Sequence, residues 1–202
     1  MIALIDYGMG NLGSVHKALQ RVGCEPLITS DPDQVARASA VVLPGVGAFD
    51  DCMRNLIDRG LDVAVKDAIA AGKPFLGICL GLQMLFDSSE EGGEVPGMGI
   101  IPGKVVRFTH SLKIPQIGWN QINIKAPAPH LAGVAEGSWV YFVHSYYVVP
   151  DDPSIVCTTT DYGYEFCSAI WKDNVFATQY HPEKSQATGL KILENFAGMV
   201  GA

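Results

Sequence analysis

Five residues, Gly77-Ile78-Cys79-Leu80-Gly81, carry the clearest chemical signal in this 202-residue chain. They follow the apolar run Pro74-Phe75-Leu76 and read as a strand that stops abruptly and enters a helix, with one cysteine at the corner. A Gly-x-nucleophile-x-Gly corner needs small flanking residues, because the nucleophile sits in a strained turn that crowds its neighbours. Such a corner presents its side chain at the carboxyl end of a sheet, beside the free N–H groups of the next helix. Those groups favour a thiolate and can hold an oxyanion. The chemistry it supports is attack by sulfur with a developing negative charge held nearby. Alone, the pentapeptide is equally a chance pattern, and the rest of the chain must decide.

A cysteine nucleophile needs a base, and the histidines are His16, His110, His130, His144 and His181. His181 ends the apolar run Val175–Tyr180. That run should lie beside the nucleophile strand with its carboxyl end at the same edge, where active sites of open α/β sheets gather. Glu183 lies two residues on, where strand alternation returns to the same face, placed to hold the imidazole in one tautomer. A surface His-Pro-Glu turn is the other reading, and pairing with the elbow cysteine favours catalysis. His144 reads as a packing residue and His16 as an exposed or interfacial helix residue, while His110 and His130 sit in loop-like context. Cys24, Cys52, Cys157 and Cys167 read as inert core or half-buried thiols. Pro44-Gly45-Val46-Gly47 reads either as an ordinary strand-to-helix turn or as a second oxyanion donor beside the Leu80 N–H. No GK[ST] follows, so it is not a phosphate loop.

The elements that must position these groups follow an α/β pattern. Ile2–Tyr7 is a first strand, Asn11–Val22 a helix stopped by Gly23, and Pro26–Thr29 a second strand. Ser30-Asp31-Pro32 is helix-start chemistry. Ala40–Leu43 is a buried third strand, helices follow to about Ala70, and the next strand delivers Cys79. This order predicts an open, mainly parallel, flavodoxin-like sheet with helices on both faces. Ser88–Gly99 reads as an acidic loop. Beyond it, strand-like pieces near Lys104–Phe108, Gln121–Ile124, Trp139–Tyr147, Ile155–Thr160, Phe166–Trp171 and Val175–Tyr180 predict antiparallel strands or a sheet edge. A last helix spans about Ser185–Val200. With no repeat or linker, residues 1–202 are expected to form one domain.

Composition narrows the partners. Apolar residues make up 48% and charged residues 17%, which suits a well-filled core and suggests that another chain covers some surface. A net charge of −7 argues against nucleic acid or an anionic membrane. The start of the chain has no basic segment and meets Asp6 early, so it reads as a strand and not a signal peptide. Five scattered cysteines are expected to be reduced thiols of a cytoplasmic protein. No spacing suggests a metal site, and no cofactor is expected.

Gly77-Ile78-Cys79-Leu80-Gly81-Leu82-Gln83, Pro44-Gly45-Val46-Gly47 and His181-Pro182-Glu183-Lys184 together resemble the class I, triad-type glutamine amidotransferases. Asp6-Tyr7-Gly8-Met9-Gly10-Asn11, Gly118-Trp119-Asn120 and Phe142-Val143-His144-Ser145-Tyr146 are similar to one branch of that family, the glutaminase subunits of imidazole glycerol phosphate synthases. The motifs lie in the right order over nearly the whole chain. The resemblance implies a Cys79–His181–Glu183 triad acting on the amide of glutamine. It implies an oxyanion site from the Leu80 amide and Gly45, Val46 and Gly47, with one amide that has to reorient. It also implies that Gly47, Gln83, Glu91, Ser145 and Tyr146 hold glutamine, with Glu91 facing its α-ammonium. The implied partner is a (β/α)8-barrel cyclase that consumes the ammonia in histidine biosynthesis, faced by Asn11, Trp119, Tyr141 and Lys184. Gly45-Val46-Gly47-Ala48 departs from the Gly-Gly-Glu-Ser type segment of pyridoxal phosphate synthase glutaminases. Leu82 stands where anthranilate and aminodeoxychorismate synthase subunits usually have histidine. A cysteine peptidase of similar fold and an inactive binding subunit are the remaining readings. The first would form no glutamine-dependent thioester at Cys79, and the second would keep its role in Cys79→Ala.

Overall fold

The computed structural model describes residues 1–200. In its first half strands and helices alternate: β1 (Ile2–Ile5), α1 (Leu12–Arg21), β2 (Pro26–Thr29), α2 (Pro32–Arg37), β3 (Ala40–Gly45), α3 (Phe49–Asp58), α4 (Leu61–Ala70) and β4 (Phe75–Cys79). A short helix, α5 (Leu80–Gln83), follows the elbow. Strands then dominate: β5 (Phe86–Ser89), β6 (Val95–Pro96), β7 (Ile101–Arg107), β8 (Gln116–Gln121), β9 (Asn123–Ile124), β10 (Trp139–His144), β11 (Tyr146–Pro150), β12 (Val156–Asp161), β13 (Glu165–Lys172) and β14 (Val175–Thr178). The long helix α6 (Gln186–Gly198) packs back on the sheet.

Strands β2, β1, β3, β4 and β14 lie side by side and parallel, and β13 joins β14 antiparallel. The parallel strands are continuous apolar runs because both faces are covered. Val41 and Leu43 pack with Phe49, Leu56, Leu61 and Val65 of α3 and α4. Val42, Leu76 and Ile78 pack on the opposite face with Val15 and Leu19 of α1 and with Ile192, Leu193 and Phe196 of α6. Asp31 starts α2 as expected, its carboxylate accepting from Asp33 N at 2.9 Å, with Pro32 at the first helical position.

The register fixes the site's surroundings. Gly45 of β3 pairs with Cys79 on one side, and Thr178 of β14 pairs with Ile78 on the other. The Pro44–Gly47 turn and the His181–Glu183 turn therefore leave the sheet at the same edge as the nucleophile. Outside this sheet, β8 and β10 form a separate antiparallel ribbon. Val140 and Phe142 of β10 face the core, whereas Ile117 and Trp119 of β8 and Trp139 of β10 are exposed.

Several expectations need correction. The Ser88–Gly99 loop contains β6 and the end of β5, which pair antiparallel. The single run Trp139–Tyr147 is two strands, β10 and β11, that part at Ser145 and enter different sheets. Gln116–Asn120, which carries no strongly apolar alternation, is a strand because β10 pairs with it. His130 is not a loop residue without a role: its ring is buried and stacks on Phe176 at 4.0 Å and 5°.

Neither ring nitrogen of His130 has a hydrogen-bond partner among the described residues, and burial pushes its pKa down to about 4. Burial also holds His144 down, at about 3, against a backbone hydrogen bond that favours its charged form. Both groups stay neutral in the fold and gain protons on unfolding. Their contribution is present above the ordinary value of 6.5 and is lost as the pH falls towards those lowered values. At about pH 5 each should cost about 2 kcal/mol of stability. Urea unfolding of His130→Leu should show a correspondingly smaller loss between neutral pH and pH 5 than the parent chain. Equal losses would contradict a neutral, buried imidazole.

Candidate active site

The nucleophile corner is built by backbone crowding. Cys79 adopts φ 55 and ψ −108, a strained conformation for a residue with a side chain. The flanking glycines make it possible. A Cβ on Gly81 would lie 1.9 Å from the Leu43 carbonyl oxygen, and one on Gly77 would lie 2.7 Å from the Gly81 carbonyl oxygen. Helix α5 can begin against β3 only with no side chain there. Cys79 ends up buried, its Sγ 3.9 Å from Val143 O and 3.5 Å from Gln179 Nε2.

His181 follows β14, and its backbone N–H donates to Tyr141 O at 2.9 Å. Its Nδ1 meets Glu183 Oε1 at 2.8 Å, and both side chains are only 1% exposed, so solvent screens this pair little. The other nitrogen, Nε2, is buried and has no hydrogen bond of standard geometry among the described residues. Burial disfavours the imidazolium, but the adjacent Cys79 sulfur and the Glu183 carboxylate outweigh it and push the pKa up to about 10. The three groups thus form a line in which an acid orients an imidazole and the imidazole faces a sulfur.

Beside Cys79 lies a cavity of about 260 Å³. Its walls include Val46, Gly47, Leu80, Gln83, Glu91, Ser145 and Tyr146, bringing together the five residues expected to hold a small substrate. Strand β3 runs two residues further than expected, through Pro44 and Gly45, before the turn opens into this cavity. Two buried side chains clamp that turn. Tyr7 OH donates to Pro44 O at 2.9 Å, and Cys52 Sγ lies 3.7 Å from Val46 O. In a trans peptide the N–H opposes the C=O, so this contact turns the Gly47 N–H away from Cys52. Gly47 itself takes φ 117, which favours glycine.

Glu91 lies between β5 and β6, held there in part by its backbone N–H donating to Ser89 Oγ at 3.2 Å. Its Oε2 accepts from Phe49 N at 3.0 Å, capping α3, whose own N-cap residue Ala48 offers no side-chain acceptor. Burial raises its pKa. Gln83 is buried, and its Nε2 lies 3.0 Å from both Tyr146 O and Gln179 Oε1. His144 is consumed by packing, as expected. Its Nδ1 is 2.8 Å from Tyr146 O and its Nε2 is 3.0 Å from the Gln116 amide.

The residues expected to face a partner divide into two places. Trp119, Tyr141 and Lys184 form one surface patch. Trp119 packs edge-on against Tyr141 at 6.0 Å, and Lys184 Nζ lies 5.7 Å from the Tyr141 ring centroid. Ile117 at 58% and Trp139 at 54% exposed extend it as a sizeable apolar surface. Asn11 stands apart, at the start of α1, which packs against the Pro182–Lys184 turn. Sequence reasoning missed Gln179, Tyr7 and Cys52. Gln179 carried a usable signal, since it precedes His181 by two residues, the spacing that singled out Glu183, although β14 itself ends at Thr178.

The raised His181 value has a testable cause. In Cys79→Ser a neutral hydroxyl replaces the sulfur, leaving burial opposed only by Glu183. Nitrogen NMR should show the His181 imidazole titrating near 10 in the parent chain and below about 8 in the variant. An unchanged midpoint would remove Cys79 as the source of the shift.

Residues 3–199 match the family described as glutamine amidotransferase class-I. The chain is 56% identical to the imidazole glycerol phosphate synthase subunit HisH of Syntrophotalea carbinolica, over 98% of this chain and 100% of that protein. It is 56% identical to the HisH subunit of Aquifex aeolicus, over 96% and 94% of the two chains. Among solved structures it resembles a glutamine amidotransferase with a TM-score of 0.79 at 16% identity, each chain covered in full. It also resembles PurLQS from Thermotoga maritima with a TM-score of 0.78 at 19% identity, over 98% and 97% of the chains. The structural likenesses speak for the fold, and the sequence match speaks for descent. The chain belongs to the class-I glutamine amidotransferase family.

Proposed function

We propose that this chain is the glutaminase subunit of an imidazole glycerol phosphate synthase, hydrolysing glutamine to glutamate and ammonia. The observation that carries the reading is the cavity in which Gly47, Gln83, Glu91, Ser145 and Tyr146 surround Cys79. A small zwitterion with a terminal amide suits such a cavity. Glu91 is the carboxylate available to its α-ammonium, through the oxygen not used to cap α3. Identity above one half with HisH subunits over nearly their whole length supports the specific branch.

In the proposed reaction the Cys79 sulfur attacks the amide carbon of glutamine. The oxyanion is held by the Leu80 amide and by an amide of the Gly45-Val46-Gly47 turn. The carbon–nitrogen bond breaks, and His181 gives its proton to the departing ammonia. Water then attacks the thioester, with His181 taking its proton, and glutamate leaves as Cys79 is restored. Glu183 holds the imidazole in the tautomer that does this. No metal or cofactor enters. Ammonia passes to a (β/α)8-barrel cyclase, the other half of a heterodimer, which makes imidazole glycerol phosphate and aminoimidazole carboxamide ribotide. We read residues 1–202 as a single amidotransferase domain acting in the cytoplasm, a reading that five free cysteines support.

The patch of Trp119, Tyr141 and Lys184, together with Asn11 at the start of α1, is the proposed cyclase-facing surface. It is mechanically close to the triad. Tyr141 accepts a hydrogen bond from His181 N, and its own N–H donates to Ser185 Oγ, which donates to His181 O at 2.7 Å. A partner that moves β10 moves the base, and we propose that glutamine hydrolysis is slow until it does so. Adding the barrel cyclase and its ligand to the purified chain should raise glutaminase activity by about tenfold or more. Trp119→Ala should weaken the complex by about tenfold. Full-rate hydrolysis by the chain alone would overturn the coupling, and no hydrolysis with the cyclase present would overturn the assignment.

A further inference from the structure

Cys79 Sγ has a third polar neighbour besides His181 and the Val143 carbonyl. Gln179 Nε2 lies 3.5 Å away, and the Gln179 side chain is completely buried. A side-chain amide has a donor end and an acceptor end, and hydrogen-bond logic assigns them. A backbone carbonyl only accepts, so Tyr146 O must face the nitrogen of Gln83. That same nitrogen sits 3.0 Å from Gln179, so Gln179 must present its oxygen there. Its nitrogen is left pointing at the sulfur. The orientation is thus dictated from a main-chain atom through two buried amides to the nucleophile. Gln179 is held from its other side by its backbone N–H donating to Ser168 O at 2.9 Å.

We infer that Gln179 is a catalytic residue, an N–H donor that stabilises the Cys79 thiolate and fixes its rotamer. A donor to sulfur favours the ionised form, and the completely buried Gln179 amide makes that bond without competition from solvent. Gln83 then has a second task beyond lining the cavity, since it sets the direction of the Gln179 amide. The inference deepens the glutaminase reading and rests on it for the identity of the substrate, though not for the contact itself. The other groups that bear on the sulfur's charge are His181 with Glu183 behind it, Tyr7 and Cys52 beneath the Pro44–Gly47 turn, and His144 and Glu91 on the cavity wall.

The test is the pH dependence of alkylation at Cys79 by iodoacetamide, read on the peptide that carries it so that Cys24 does not interfere. Gln179→Glu keeps the shape and the acceptor for Gln83 but replaces the donor with a carboxylate. Its alkylation midpoint should rise by about one pH unit or more relative to the parent chain. Gln179→Met removes the donor without adding charge and should shift the midpoint in the same direction by less, which keeps the test available if the buried carboxylate prevents folding. Glutamine hydrolysis should fall by about tenfold or more in both. Unchanged midpoints in folded variants would overturn the inference and leave Gln179 a packing residue, whatever happens to turnover. Shifted midpoints in a protein that hydrolyses no glutamine would support the role of Gln179 while refuting the glutaminase reading.

Discussion

Everything at this site depends on a contact between two stretches of backbone. Gly81 sits so close to Leu43 O that a single methyl group would land 1.9 Å from it. With that space empty, α5 begins flush against β3, and Cys79 is forced to φ 55 with its sulfur lifted off the end of β4. Such a conformation costs about 1–3 kcal/mol and persists only where the surroundings over-determine it. Here β3 and β14 grip β4 from both sides in parallel register, and apolar side chains cover both faces. The core is the reservoir that keeps the corner bent.

The same geometry gathers the remaining groups. Parallel pairing brings the ends of β3, β4 and β14 to one edge, so the Pro44–Gly47 turn, the nucleophile and His181 converge without long loops. The second half of the chain closes the site from outside. Strand β10 departs from β11 at Ser145, and Tyr146 O at that break receives both Gln83 and His144. One wall of the cavity and the backbone anchor of His181 therefore belong to the same ribbon that carries Trp119 and Trp139 on its outer face. An apolar surface and the acid–base machinery share one piece of β-structure. Displacement of β10 would reach the imidazole through one hydrogen bond, which is what the proposed coupling to a partner requires.

The sequence was most legible where local rules act. Asp31-Pro32 marks a helix start through a side chain and a ring, and Gly77 and Gly81 mark the elbow because nothing larger fits. His181 and Glu183 do meet, but through the 3-10 turn Pro182–Lys184 and not through the strand alternation that suggested the pair. What was hidden depends on pairing across the chain. Gln116–Asn120 is a strand only because β10 lies beside it, and Trp139–Tyr147 breaks at Ser145 because its two halves find different partners. His130 read as featureless until Phe176 and Phe196 were seen to stack on it. Gln179 looked like one more strand residue, since its meaning arises from Gln83, ninety-six positions away. The place of Glu91 likewise depends on α3, whose Phe49 N–H its carboxylate caps from forty-two positions away.

The proposed reaction turns on a covalent bond between Cys79 and the glutamine carbonyl, with His181 completing the cycle. The most direct measurement is acid quenching of the cyclase-bound protein during turnover, followed by mass spectrometry of the cysteine-bearing peptides. A glutamyl adduct should appear on the peptide carrying Cys79 and be absent when glutamine is omitted. A glutamyl group on another cysteine, or hydrolysis with no adduct on any of them, would contradict the mechanism at its centre.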